Sequence, residues 1–417
     1  MYIKKVHINN IRSIKDFEMK FDQPAGWHVI IGENGAGKST IVKAIAFQLL
    51  GNDVEGLRIN IFEWLNNQSS TGMISNTIIL QNNDEYYDKI EKQEFTYKTK
   101  FLGSTIETDF VEKIESGFKK QLFKQQDKKG WFSSAYGPFR RFTGGTSTQE
   151  YKSHQRLVAH LSIFGEDVAL TEALDWLVQL NYKKLEKKEE GKTLDYIKIL
   201  INSEGFLPHH AKLESVSSDG VFFKDGNGQL ISVNELSDGY RSILSLTFEL
   251  IRQMVRVYGI KEVFRSIEKG EHHIPVPGVV LIDEIDAHLH PTWQTSIGQW
   301  FTKYFPRIQF IVTTHSPLIC RAAENGSIWQ LAAPGSNLQS GQITGLEKEK
   351  LVFGNILEAY GTEAFGASPV RSAKSHEKLE RLGELNMLSA LGKIDAKQEQ
   401  ERLSLQKTLS TDDPTGF

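Results

Sequence analysis

Apolar and polar residues alternate along the opening segments of the chain. Tyr2–Ile8 and Ile14–Phe21 follow the two-residue period of a strand covered on one face, whereas Trp27–Ile31 is a short unbroken apolar run. Unbroken runs of this length are expected of strands covered on both faces, as inside an α/β sheet. Two more occur far downstream, Val279–Ile282 and Phe310–Thr313. The period changes to that of a helix from Lys38 to Leu50, and again after Gly239 through Ile243, Leu246, Leu250 and Met254. Residues 167–206 carry two further helical patterns. Between them the charged run Lys183–Lys192 reads as a solvated helix end or loop. Val221–Val233 reads as a hairpin turned at Asp225-Gly226 or Asn227-Gly228. There is no internal repeat and no sustained heptad pattern, so no long coiled-coil arm is expected. From about Gly345 the chain is polar and helix-prone, with Gly366–Pro369 breaking it. The pattern predicts an α/β fold with a helical insert.

Composition narrows the function classes. The 417 residues are 39% hydrophobic and 24% charged, ordinary for a soluble globular chain of two or three lobes. Lys and Arg number 49 against 52 Asp and Glu, a formal charge of −3, so bulk charge cannot coat nucleic acid and any such contact needs a local patch. Residues 111–130 are the one candidate, with six lysines against three acids and Phe118 and Phe123 interleaved. A nucleic-acid patch and a solvated amphipathic helix both fit them. With one cysteine there is no internal disulfide and no CxxC metal site. No run reaches the roughly 18 apolar residues of a membrane span, and no apolar leader opens the chain. A cytoplasmic protein without membrane contact is expected.

Candidate chemistry begins at Gly32–Ser39, GENGAGKS, which has the spacing G-x-x-x-x-G-K-[ST] between a strand and a helix. Backbone N–H groups from Asn34, Gly35, Ala36 and Gly37 through Thr40 are placed to close on phosphate oxygens. Lys38 would reach the β- and γ-phosphates, and Ser39 would ligate Mg²⁺. Asp283 and Glu284 end the apolar run Val279–Ile282. An Asp there, beside such a loop, holds magnesium, and the next carboxylate can polarise an attacking water. His315 ends the run Phe310–Thr313, either as a structural imidazole or at the γ-phosphate.

Taken in order, a phosphate loop, Leu236–Tyr240 (LSDGY) opening a helix, an apolar strand ending in DE and a strand ending in His resemble the ABC-type ATPases. The form DEIDAHLHP is similar to the second acidic motif of their SMC/RecF/OLD-like branch. The resemblance implies an ABC-type P-loop ATPase head using ATP and Mg²⁺. It implies that Ser237 and Gly239 meet the γ-phosphate bound by a second copy, giving a homodimer or higher homo-oligomer, and that Arg12 lies near the nucleotide. Arg12 also reads as a surface residue on a strand turn. Two positions depart from the pattern. Asp238 stands where transporters have glycine, and His290 stands about where the family often has aspartate. Ser134–Arg141 sits where the family's Q-loop falls, with Tyr136 and Arg140 as a lobe junction before a nucleotide sensor. The implied organisation is a first ATPase lobe over 1–150, a helical insert over 151–235, the completion of the head over 236–344, and a docking or oligomerisation tail over 345–417. The missing heptads and the absence of a D-x-D cluster after His315 exclude an armed repair ATPase or an attached nuclease. What remains resembles the PtuA-like ATPases of Septu-type and retron-associated anti-phage systems, which implies an HNH-type nuclease subunit as partner. A RecF-like repair ATPase binding DNA itself, and a nucleotide-gated scaffold with little turnover, are the alternatives.

Overall fold

The computed structural model describes residues 1–57, 61–66, 69–81, 93–103, 105–111, 131–140, 155–165, 171–336, 339–355, 359–360, 362 and 373–409. They form two compact units, Met1–Val352 and Phe353–Phe417.

The first unit begins with β1 (Tyr2–Ile11), β2 (Ile14–Lys20) and β3 (Gly26–Gly32), followed by helix α1 (Lys38–Leu50). Then come β4 (Thr71–Ile79), β5 (Glu94–Leu102), β6 (Thr105–Phe110) and β7 (Ser133–Tyr136). A helical segment follows, with α2 (Gln155–Val158), α3 (Thr171–Leu185) and α4 (Lys192–Ile201). Next are β8 (Lys212–Ser217), β9 (Gly220–Lys224) and β10 (Leu230–Ser232), then α5 (Asp238–Tyr258) and α6 (Ile260–Glu268). The unit closes with β11 (Gly278–Ile282), α7 (Pro291–Tyr304), β12 (Ile308–Thr313), β13 (Ser327–Leu331), β14 (Gly341–Ile343) and α8 (Gly345–Phe353).

Three sheets organise these elements. The six-stranded central sheet has the order β14-β13-β3-β12-β11-β7. Its inner pairs are parallel, and β14 runs antiparallel at one edge. Every residue of β11 and β12 is buried, which is why their sequences read as unbroken apolar runs. Register then sets function: Ile282 pairs with Val312 and Thr313 with Ile30, so the three strands end together. The residues that follow them share one edge, the carboxyl end where open α/β sheets place ligands.

The second sheet, β2-β1-β4-β5-β6, is antiparallel. Helix α1 lies between it and the central sheet, touching β1, β4, β11 and β12. Eleven of its residues are buried, among them Ile41, Val42, Ile45, Phe47, Leu49 and Leu50. A helix gripped from two sides has no wet face, which accounts for its nearly polar-free sequence after Lys43. Each such side chain contributes about 1.5–3 kcal/mol by leaving water. Gln48 spends its amide on the Ile74 carbonyl at 2.6 Å, fixing α1 to β4. The central sheet's opposite face carries an aromatic cluster, with Trp27 at 6.2 Å from Phe301 and 5.3 Å from Phe310.

The small third sheet, β10-β9-β8, contains the expected hairpin. Asn227-Gly228 turns it: Asp225 Oδ1 accepts from the N–H groups of Asn227 and Gln229, and Gly228 adopts φ +83. In the second unit, α9 (Ala373–Ala390) and α10 (Ala396–Thr408) form a hairpin. Arg381 spans it with two bonds to the Glu401 carboxylate, both 3.2 Å. Gly366–Pro369 lies outside the described residues.

Candidate functional site

The phosphate loop joins β3 to α1 through three left-handed glycines, Gly32 (φ +154), Gly35 (φ +80) and Gly37 (φ +102). A side chain at Gly37 would lie 2.5 Å from Ile14 Cδ1 and 3.0 Å from Ser13 Oγ, so the β1–β2 turn presses directly on the loop. Gly37 is the N-cap of α1 and no side chain caps the helix, leaving its first N–H groups to a ligand. Asn34 and Gly35 are exposed, while Ala36, Lys38 and Thr40 are buried. The Lys38 ammonium folds over its own loop, donating to the carbonyls of Gly32 at 2.7 Å and Glu33 at 3.0 Å. Burial pushes its pKa below the usual lysine range, opposed by the charges of Asp283, Glu284 and Asp286.

Directly across the edge, Asp283 Oδ1 accepts a hydrogen bond from Ser39 Oγ at 3.1 Å. The hydroxyl and carboxylate expected to share a magnesium ion therefore already touch. A hard cation takes oxygen donors of this kind, so the donor set fits Mg²⁺. Thr313, at the end of β12, is a residue the motif pattern did not single out. Its Oγ1 accepts from the Glu284 N–H at 2.8 Å and donates to Asp283 Oδ1 at 2.6 Å, so one hydroxyl orients both acidic residues. Thr314 does the same for Asp286, donating to Oδ1 at 2.6 Å. Glu284 itself sits at φ +47, a conformation uncommon for a residue with a side chain and held here by its surroundings. Lys43, one turn past Ser39, is a further cation near this group: burial and Arg12 lower its pKa, and Asp283 opposes them.

Arg140 is buried behind this edge at 4% exposure. Its Nη1 donates to the carbonyls of Asp283 at 2.8 Å and Gly137 at 2.9 Å. Its Nη2 donates to those of Glu284 at 3.0 Å and Ile285 at 3.5 Å, and its Nε to Ser242 Oγ on α5 at 3.1 Å. Burial pushes the guanidinium down to about 10, against the pull of Asp283, Asp286 and Glu284, so it stays charged at neutral pH.

The remaining sequence candidates fall around this core. His315 lies just past β12, exposed, with its backbone N–H 3.4 Å from Asp286 Oδ2. Ser237 is the N-cap of α5 and exposed. Gly239 is buried, and a side chain on it would lie 2.6 Å from the His288 carbonyl. Asp238 is paired with Arg241, which answers its charge locally. His290 caps α7, its side chain accepting from the Thr292 N–H. Arg12 adopts φ +50 in the turn that presses on the phosphate loop, with its guanidinium 5.3 Å from the Trp64 ring centroid. The lysine-rich segment 112–130 lies outside the described residues. No helix among the described residues is long and apolar enough to cross a membrane.

Known proteins resemble this chain in sequence and fold. The chain is 27% identical over 337 residues to the Septu protein PtuA of Bacillus mycoides, covering 78% of this chain and 40% of that one. It is 25% identical over 403 residues to the Retron Vc95 probable ATPase of Vibrio cholerae, covering 80% and 76%. The chain thus spans well under half of the first relative and about three quarters of the second. Among solved structures, the SMC head bound to the C-winged helix domain of ScpA superposes with a TM-score of 0.50 at 17% identity, covering 84% of this chain and 99% of that one. That likeness establishes the fold as an SMC-head-like α/β P-loop fold. A sequence profile for the AAA domain described as putative AbiEii toxin, Type IV TA system, matches residues 28–321, from β3 past β12, and the chain belongs to that family.

Proposed function

We propose that this chain binds ATP with magnesium and hydrolyses it, and that two copies close on the nucleotide to control a partner nuclease in anti-phage defence. The observation that carries the reading is the 3.1 Å contact between Ser39 and Asp283, with Lys38 and Glu284 on the same edge. Phosphate oxygens would be held by the loop N–H groups and Lys38. Magnesium, held by Ser39 and Asp283, would neutralise phosphate charge. Glu284 would take a proton from water as the water oxygen attacks the γ-phosphorus. The bond from phosphorus to the bridging oxygen then breaks, leaving ADP and phosphate. His315, beyond the end of β12, would contact the γ-phosphate, and Arg12 would sit beside the nucleotide through its turn. Ser237 and Gly239, at the open end of α5, would reach the nucleotide of the second copy.

The defence role draws on the names of the relatives, a Septu protein and a retron ATPase. The tail after Gly345 would dock the nuclease subunit or further copies, in the cytoplasm. The test is phosphate release with and without the partner subunit, combined with native mass. Glu284→Gln should cut turnover by about 100-fold or more while accumulating an ATP-bound dimer. Lys38→Ala should lose ATP binding in equilibrium titration. A Glu284→Gln rate equal to that of the unaltered chain would overturn the assignment. ATP-bound dimers with no turnover in the unaltered chain would make it a nucleotide-gated scaffold instead.

A further inference from the structure

We propose that Arg140 is the positioning residue for Glu284, and that it ties the placement of that carboxylate to helix α5. The inference rests on the ATPase reading and adds a means of regulating it.

A guanidinium has five N–H donors in a fixed fork. In Arg140 all five are spent, and among the described residues none goes to a carboxylate. Four go to carbonyls, those of Gly137, Asp283, Glu284 and Ile285, and the fifth goes to Ser242 Oγ. Burying a charge against dipoles alone is costly unless every donor is satisfied. The usual economical use of a buried arginine is a bidentate ion pair. Three acidic side chains stand nearby, those of Asp283, Glu284 and Asp286, and they act on Arg140 only through their charge. The guanidinium instead grips the backbone beneath them, which leaves those carboxylates to other partners, Asp283 to Ser39 and Thr313 and Asp286 to Thr314.

That grip falls where the backbone is least relaxed. Glu284, at φ +47, lies in the middle of the three successive carbonyls that Arg140 holds. Left-handed conformation costs a residue with a side chain about 1 kcal/mol or more, so it persists only where its neighbours over-determine it. Arg140 fixes the carbonyl side of this turn, and Thr313 fixes its Glu284 N–H. The direction of the Glu284 side chain follows from that conformation.

The fifth donor connects the turn to α5. Ser242 is fully buried on α5, one turn from Ser237 and Gly239. A second contact runs in parallel: Gly239 abuts the His288 carbonyl, four residues beyond Glu284. A displacement of the start of α5 is therefore felt at the Glu284 turn through two routes, one of them a hydrogen bond that a single substitution removes. When a second copy or its nucleotide engages Ser237, the same helix that receives the contact resets the turn carrying the general base.

The experiment is a double-mutant cycle on ATP turnover in the full-length chain, with nucleotide affinity and thermal melting measured on every variant. Ser242→Ala removes only the α5 link. It should lower kcat by about 10-fold while the Kd for Mg-ATP changes by less than about 2-fold. Arg140→Lys removes the fork while keeping the charge, and should lower kcat further with the same small change in Kd. In a Glu284→Gln background neither substitution should lower turnover again, because both act through Glu284. Additive losses in that background, or Ser242→Ala turning over at the normal rate, would overturn the proposal. If Arg140→Lys fails to fold, Ser242→Ala decides alone. An unaltered chain that hydrolyses no ATP would sink the ATPase reading itself. A chain that hydrolyses ATP through Glu284 but is indifferent to Ser242 would sink only this inference.

Discussion

Thr313→Val is the most informative single substitution, because it removes one hydroxyl and keeps shape. Thr313 is completely buried, with its Oγ1 between the Glu284 N–H at 2.8 Å and Asp283 Oδ1 at 2.6 Å. Losing a hydrogen bond to an ionised carboxylate costs about 1.5–3 kcal/mol, and leaving a buried N–H without an acceptor costs about 1–3 kcal/mol. The two losses overlap, since the turn can relax, and the added methyl returns about 0.8 kcal/mol. A net destabilisation of about 3 kcal/mol is expected. At about 2.1 cal/mol/K of unfolding entropy per residue, a unit running from Met1 to Val352 melts roughly 1.4 °C lower per kcal/mol, so Tm should fall by about 4 °C. Turnover should fall more steeply than stability. The hydroxyl is the side-chain acceptor that holds the Glu284 N–H, and misplacing a reacting group by about 1 Å can cost on the order of 100-fold. Scanning calorimetry reads the first effect and phosphate release at saturating ATP the second. Thr313→Ser, which keeps both bonds, should restore both. A valine variant that melts within 1 °C of the unaltered chain and hydrolyses ATP normally would refute the role given to Thr313.

Two further outcomes follow from the packing. Gly239→Ala would lower Tm, because its new methyl meets the His288 carbonyl at 2.6 Å; the strain should cost about 1–3 kcal/mol. Helix propensity alone would raise stability by about 1 kcal/mol, so a higher Tm would show that the contact yields without strain. Acid should destabilise the chain through His28 and His160, whose pKa values burial pushes down to about 4 and about 3. Since an unfolded histidine titrates near ~6.5, their contribution is fully present above that pH and is lost as pH falls toward about 4. Around pH 5 each adds roughly one proton to the unfolding reaction, about 1.4 kcal/mol per pH unit. Urea midpoints between about pH 7 and pH 5 should fall less steeply in His160→Gln, and parallel curves would exclude His160 from the effect.

The strands legible in the sequence are those whose surroundings are uniform. β11 and β12 are covered on both faces and spell it out in Val, Leu, Ile and Phe, and α1, gripped by two sheets, is nearly as plain. β4 and β7 escaped the pattern for the converse reason: they bury polar side chains. Ser75 and Asn76 of β4 are buried, and all four residues of β7 (Ser133, Ser134, Ala135, Tyr136) are as well. Hydrophobic periodicity measures side-chain polarity as a proxy for burial, and it fails where a buried strand carries hydroxyls and amides. His28 shows what makes such burial tolerable. Its Nε2 lies 2.8 Å from the Pro24 carbonyl and its Nδ1 2.8 Å from Ser327 Oγ, and that oxygen in turn accepts from Trp329 Nε1 at 2.7 Å. A neutral imidazole protonated on Nε2 satisfies this chain of bonds, donating to the Pro24 carbonyl and accepting from the Ser327 hydroxyl, and burial disfavours a second ring proton.

The site divides along a similar line. Motif spacing finds groups that would touch a nucleotide, because phosphate and magnesium demand particular residues at fixed offsets along one loop or one strand end. Gly32–Ser39 and Asp283–Glu284 are of this kind, and register explains why they meet: β3, β12 and β11 are parallel neighbours ending at one level. Thr313, Thr314, Arg140 and Ser242 are of the other kind. They act on the backbone and carboxylates of the acidic turn, or through one another, and Arg140 does so from as far as 145 residues away in sequence. Family resemblance marks Arg140 as a lobe junction before a nucleotide sensor, but no spacing rule announces its grip on the turn, since what it recognises is a set of carbonyls and not a residue type. Yet two of them, Thr313 and Arg140, bond the N–H and the carbonyl of Glu284, which sits at φ +47. The local rule broken at Glu284 is the pointer to them: a strained residue at a predicted general base implies supports on both its N–H and carbonyl sides, and Thr313 and Arg140 are where the structure supplies them.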